Sequence, residues 1–133
     1  IVDSTDPVGP GKVLFKLDFY RLVYRALKND GIAVFQIGPF LDFDLIIRGI
    51  AANLGKLFKH VKPLRLAMPS YSCGCEYCFI IASKKTDPSN VALSQISKRL
   101  KSRLKNKASM LKYYTPQMHL ASMVMPKMWQ LKK

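Results

Sequence analysis

Acidic residues are scarce in this 133-residue chain and missing from its end: eight Asp/Glu stand against 22 Lys/Arg, and no acid follows Asp87. Twelve of the basic residues share the first 87 positions with all eight acids, and the other ten lie beyond, so most of the formal +14 charge sits in the later segment. Asp87-Pro88-Ser89-Asn90 reads as a turn between the two compositions. Residues 1–87 are therefore expected to form a balanced body, and 88–133 a basic helix and C-terminal segment packing on the same domain. Long apolar runs are also lacking. None approaches the roughly 20 residues that span a bilayer, and no basic-then-apolar leader opens the chain, so the expectation is a soluble, cytoplasmic protein with no membrane partner.

Cysteine is sparse and odd in number, with Cys73, Cys75 and Cys78 clustered together. That suits a reducing compartment better than a disulfide framework. The cluster also lacks the fourth ligand and neighbouring His of a structural zinc site, so three thiols and no metal are expected. No Gly-x-Gly-x-x-Gly loop follows a strand, so these residues give no basis for nucleotide binding.

What is present suits one globular unit, since 49% hydrophobic content can supply a core at this length. Ile1 to Asp3 reads as a strand end. Apolar spacing predicts a helix from Leu14 to Leu27 closed by Asn29-Asp30-Gly31, and then a short buried strand of the parallel type at Ile32–Ile37. Asp42 is the expected N-cap of a helix running from Phe43 to about Phe58, weakened by Gly49 and Gly55. Val61–Met68 and Cys78–Ser83 read as strands joined through a turn at Ser70–Tyr77. Ile96, Leu100 and Leu104 give helical spacing within Ser94–Lys107. Alternating strands and helices argue for an α/β fold with a parallel or mixed sheet and helices on its faces.

The richest stretch is Ile1-Val2-Asp3-Ser4-Thr5-Asp6-Pro7-Val8-Gly9-Pro10, an apolar pair entering two carboxylates inside a Pro/Gly loop. Ligands of open α/β sheets sit outside the carboxyl ends of strands, so this acidic tip suits a cationic substrate. Taken alone, Asp3 and Asp6 are equally consistent with turn formation, Gln36 with a polar strand end and Tyr71 with loop packing. His60 reads as solvated and His119 as a packed or surface residue.

Val2-Asp3-Ser4-Thr5-Asp6-Pro7-Val8-Gly9-Pro10 resembles the active-site loop of spermidine synthases and related polyamine aminopropyltransferases. The likeness continues in order through Leu14-Phe15-Lys16, Arg25-Ala26-Leu27-Lys28-Asn29-Asp30-Gly31, Gln36, Asp44-Leu45-Ile46 and Met68-Pro69-Ser70-Tyr71 with Gly74. It closes with Leu111-Lys112-Tyr113-Tyr114, His119, Ala121 and Pro126. The resemblance implies the C-terminal half of a Rossmann-like, methyltransferase-type sheet with helices on both faces. It also implies transfer of the aminopropyl group of decarboxylated S-adenosylmethionine, a co-substrate rather than a cofactor, to putrescine, giving spermidine and methylthioadenosine. Asp3 would handle the proton of the attacking amine, with the Ser4 carbonyl and Tyr71 assisting. Asp6, Gln36 and Tyr71 would bind the diamine, and Pro10 would pack near the adenine.

A homodimer is implied as well, and the methionines from Met110 to Met128 with Trp129 read as a packing surface for a second subunit or for further chain. The chain opens in mid-strand without Met, and the family's upstream nucleotide-binding half has no counterpart in it, so a catalytic half inactive by itself is expected. Some positions depart from the family pattern: Ile37-Gly38-Pro39-Phe40 after Gln36, Ser72 after Tyr71, an extra residue between Cys75 and Cys78, and Lys12 in the loop. They leave open an altered amine specificity, a related amine N-methyltransferase, or a degenerate relative. The basic run Lys98–Lys107 offers that relative a nucleic-acid or assembly surface. No aromatic residue interleaves the run, which disfavours nucleic-acid stacking.

Overall fold

A computed structural model gives the fold of residues 1–4, 7–68 and 76–131, with Phe43 and Leu45 described by backbone alone. Three strands, β1 (Ile32–Pro39), β2 (His60–Ala67) and β3 (Glu76–Ser83), form a sheet in the order β1-β3-β2, and both pairings are antiparallel. On the other side of β1, Val2 forms a parallel bridge with Phe35. The sheet is thus mixed, and β1 is parallel only to the Val2 segment. The physical reason is the connection between β2 and β3: residues 68–75 are too few for a crossover back to a parallel neighbour, which takes a dozen or more. Pro63 sits in β2, whose outer edge pairs with no further strand among the described residues. The Arg65 N–H on that edge donates to Ser122 O at 2.8 Å, and the missing N–H of Pro63, two residues earlier, falls on the same side.

The opening helix divides into a 3-10 turn, Gly9–Phe15, and α1, Leu17–Ala26. Pro10 starts the tight turn, and extended backbone at Lys16 separates the two, which lets Phe15 as well as Phe19 and Tyr20 reach the core. Tyr20 is 1% exposed and meets Phe35 edge-on at 5.4 Å. Burying an aromatic of this size contributes about 1.5–3 kcal/mol.

The helix expected over 43–58 is likewise divided. A 3-10 turn (Phe40–Asp42) and a π turn (Phe43–Ile47) precede α2, Arg48–Gly55. Asp42 does not cap α2 because the chain is already coiled before it, and the cap position is Ile47, without a side-chain bond. Gly55 ends the helix, and Phe58 turns back into the core through its N–H to Leu54 O, 2.8 Å. Ile50, Ala51 and Leu54 of α2 join Tyr20 of α1 in one core with Ala33, Phe35, Ile37, Cys78, Ile80 and Ala82 of the sheet.

Beyond the Asp87 turn, α3 (Leu93–Leu104) stops before Lys107. After Leu104 the next residues, Lys105, Asn106 and Lys107, offer nothing apolar to continue the buried stripe. The chain turns at Lys105 (φ 48°) into a 3-10 segment, Lys105–Met110. The short α4 (Pro116–Ala121) packs on α3 and is capped by Thr115, whose hydroxyl accepts from the Met118 N–H at 3.1 Å. The final segment returns to the body, where Trp129 stacks on Phe40 at 4.7 Å. Among the described residues no helix is long and apolar enough to cross a membrane.

Candidate active site at the carboxyl ends of the strands

Two backbone bonds place the acidic tip. Val2 N–H donates to Val34 O at 2.8 Å, and Gln36 N–H donates to Val2 O at 2.9 Å. In this parallel register Val2 pairs with Phe35, so one step onward Asp3 falls beside Gln36 on the opposite face of the sheet. Val2 packs with the core on the Phe35 side, which leaves Asp3 exposed and Ser4 half-buried. Both strands run the same way, and their carboxyl ends open onto one place, where α/β sheets bind ligands. β2 also ends and β3 begins at this side of the sheet, with Ala67 paired to Glu76.

Gln36 is half-buried on β1, and its Nε2 donates to the Tyr77 hydroxyl at 3.0 Å. A bulge follows directly: Gln36 pairs with Phe79 and Gly38 with Cys78, so Ile37 is an extra residue on β1. Gly38 has φ 150°, a conformation that favours glycine. Tyr77 is then the diagonal neighbour of Gln36 on one sheet face. It is 6% exposed and packs at 5.9 Å from the Phe79 ring. Sequence reasoning passed over Tyr77, which only the pairing of Gln36 with Phe79 brings near.

Carboxylates gather at this end. Besides Asp3, Asp42 lies in the turn directly after β1, and Glu76 opens β3, bound to Arg65 at 3.2 Å. Pro10 is exposed at the start of its 3-10 turn. Asp6 and Tyr71, expected in the same site, lie outside the described residues, as do Cys73 and Cys75. Cys78 is fully buried, and burial pushes its thiol up to about 12, so it is no nucleophile near neutral pH. Among the described residues no group of three or more His, Cys, Asp or Glu could hold a metal ion.

The histidines stand elsewhere. His60, expected to be solvated, is partly buried: its Nε2 lies 3.1 Å from Lys85 O and its Nδ1 3.7 Å from Asp87. It opens β2 beside the turn after β3, which shields it. His119 Nδ1 lies 3.1 Å from the Tyr114 hydroxyl, and burial lowers its pKa.

Residues 1–95 match the family described as spermine/spermidine synthase domain. The polyamine aminopropyltransferase of Desulforudis audaxviator is 40% identical over 128 residues, covering 96% of this chain and 42% of that protein. That of Methanocaldococcus jannaschii is 40% identical over 121 residues, 90% of this chain and 39% of its own length. Among solved structures, a spermidine synthase in complex with the transition-state analogue AdoDATO superposes with a TM-score of 0.79 at 31% identity, over 96% of this chain and 41% of that one. The Thermotoga maritima spermidine synthase gives 0.76 at 29% identity, over 96% and 40%. The fold is therefore a partial Rossmann-like α/β fold, and the chain spans about two fifths of the length of the relatives it matches.

Proposed function

The chain belongs to the spermine/spermidine synthase domain family, and from that membership we propose that it forms the amine-handling side of a polyamine aminopropyltransferase, one that moves the aminopropyl group of decarboxylated S-adenosylmethionine to putrescine. The observation that carries this reading is the Val2–Phe35 bridge, which sets the Asp3-Ser4 tip beside Gln36 at the carboxyl end of β1. The activity belongs to the whole polypeptide, because the donor-binding segments of the resembled enzymes lie in the part of the relatives that this chain does not span.

Putrescine is doubly protonated in neutral water, so one ammonium must lose its proton before it can attack. The Asp3 carboxylate accepts that proton, with the Ser4 carbonyl as a second acceptor. The freed lone pair attacks the methylene next to the sulfonium. A C–N bond forms as the C–S bond breaks, and the electron pair passes to sulfur, which leaves as neutral methylthioadenosine. Asp3, exposed at the strand tip, passes the proton it took to solvent, and the carboxylate so restored pairs with the product nitrogen, now a secondary ammonium. Asp6, Gln36 and Tyr71 receive the other ammonium, which fixes the nucleophile in line, and Pro10 packs against the adenine.

The test is spermidine formation by the full-length protein from putrescine and the decarboxylated donor. Asp3→Asn is expected to lower kcat about 10²- to 10⁴-fold with unchanged thermal stability, since Asp3 is exposed. A wild-type protein that forms no spermidine overturns the reading, and an unchanged rate in the variant removes Asp3 from the proton step.

A further inference from the structure

A groove of about 430 Å³ runs between α3 and the segment leading into α4, far from the strand ends in the chain. Its volume falls in the range of small-molecule sites, about 300–1,000 Å³. Ile96, Leu100, Leu104 and Leu111 make its walls, and Arg99 and Arg103, one helical turn apart, line the same side. The helix thus sorts its cations. Both arginines face the apolar groove, whereas Lys98 and Lys101 do not line it.

The guanidinium groups have no carboxylate partner among the described residues, and the sequence beyond Asp87 contains no acid that might neutralise them. Tyr114 and His119 also line the groove and satisfy one another at 3.1 Å. Burial lowers the pKa of His119 and so disfavours its charged form. An apolar trough with two unpaired planar forks on one wall matches a molecule with an apolar body and an oxygen-bearing anionic head. Guanidinium groups grip such heads through paired hydrogen bonds that an ammonium cannot reproduce.

We propose that this groove is a binding site for an amphiphilic organic anion, with Arg99 and Arg103 holding a carboxylate or phosphate head and Ile96, Leu100, Leu104 and Leu111 covering the apolar body. The site uses none of the residues assigned above to aminopropyl transfer.

The test uses the full-length protein and the fluorescence of anilinonaphthalene sulfonate, an aromatic anion, displaced by decanoate or by decyl phosphate. Saturable binding is expected, with decanol at least about tenfold weaker than decanoate, as the loss of a charge-assisted hydrogen bond requires. Arg99→Gln with Arg103→Gln should weaken decanoate by about tenfold or more, while Lys98→Gln with Lys101→Gln, which removes the same charge from outside the groove, should change it less than about twofold. The stronger of decanoate and decyl phosphate identifies the head group. Equal binding of decanol overturns the proposal, and so does an equal loss in the lysine pair. Displacement by inorganic tripolyphosphate as effective as by decanoate also overturns it, because a bare basic surface would then suffice.

Discussion

The side-chain amide of Gln36 donates to the hydroxyl of Tyr77 at 3.0 Å across a bulged pair of strands. The bond uses the amide nitrogen and leaves the amide oxygen as the atom presented to a cation. Under the proposed function, Tyr77 is a positioning residue acting through Gln36. Tyr77→Phe keeps the ring and its packing while releasing the amide to rotate. The KM for putrescine is expected to rise about three- to tenfold, the worth of one neutral hydrogen bond, with a smaller change in kcat and none in the KM for the donor. Repeating the substitution in a Gln36→Leu background should then have no further effect on putrescine KM. Equal changes for both substrates would make Tyr77 a core residue only.

Much of this site was legible in the sequence because it depends on local order. A strand tip entering Asp3-Ser4, a Pro/Gly turn ahead of the first helix and Gln36 late in an apolar strand are each local patterns, although only the Val2–Phe35 bridge brings Asp3 beside Gln36. The Tyr77 contact was not legible, because it joins residues 41 apart and depends on the register that sets Gln36 opposite Phe79. Helix limits failed for a related reason. Apolar spacing put Phe15 inside a helix over 14–27 and Phe58 at the end of one from Phe43, yet it did not show that extended backbone at Lys16 or the stop at Gly55 brings these rings to the core. The direction of β3 could have been anticipated from the short link between β2 and β3.

The turn after α1 provides a stability test. Gly31 follows Asn29-Asp30, and a Cβ placed there would meet Leu27 Cβ at 2.8 Å and Lys28 O at 2.9 Å. Its own N–H already donates to Lys28 O at 2.9 Å, so the backbone has little room to retreat. Gly31→Ala is expected to destabilise the protein by about 1–3 kcal/mol, the usual cost of overpacking, measured by urea unfolding. An unchanged midpoint would mean that the turn opens without loss.

Arg48 ties the end of the chain to α2. Its guanidinium bonds the Asp44 carboxylate and donates to Met128 O at 2.9 Å and Gln130 O at 3.0 Å, bracketing Trp129 where it stacks on Phe40. A lysine cannot span three acceptors with one ammonium. Arg48→Lys should therefore cost roughly 1–3 kcal/mol and shift the emission of Trp129, the only tryptophan in the sequence, to longer wavelength. If the emission maximum holds, the aromatic stack alone secures the segment.

The Asp87 turn makes stability depend on acid pH with a predictable sign. The Ser89 hydroxyl at 2.6 Å and the Ser89 N–H at 2.9 Å both donate to Asp87 Oδ1, while Lys62 and His60 lie 3.7 Å from Oδ2. The Ser89 hydroxyl bond is the main cause of a lowered Asp87 pKa, with the two cations adding less. A carboxyl that ionises more readily in the folded state contributes stability above its unfolded pKa of about 3.9 and loses it as pH falls through the folded value. Wild-type protein should therefore melt above Asp87→Asn at pH 6, and the difference should shrink steadily as the pH is lowered from about 5 to below the folded pKa. Ser89→Ala, which leaves the carboxylate but removes its strongest partner, should narrow the same window. Salt should narrow it less than Ser89→Ala does, since screening reaches the Lys62 and His60 contributions and not a direct hydrogen bond. A difference between wild type and Asp87→Asn that stays constant with pH would show that the turn needs the hydrogen-bond acceptor and not its charge.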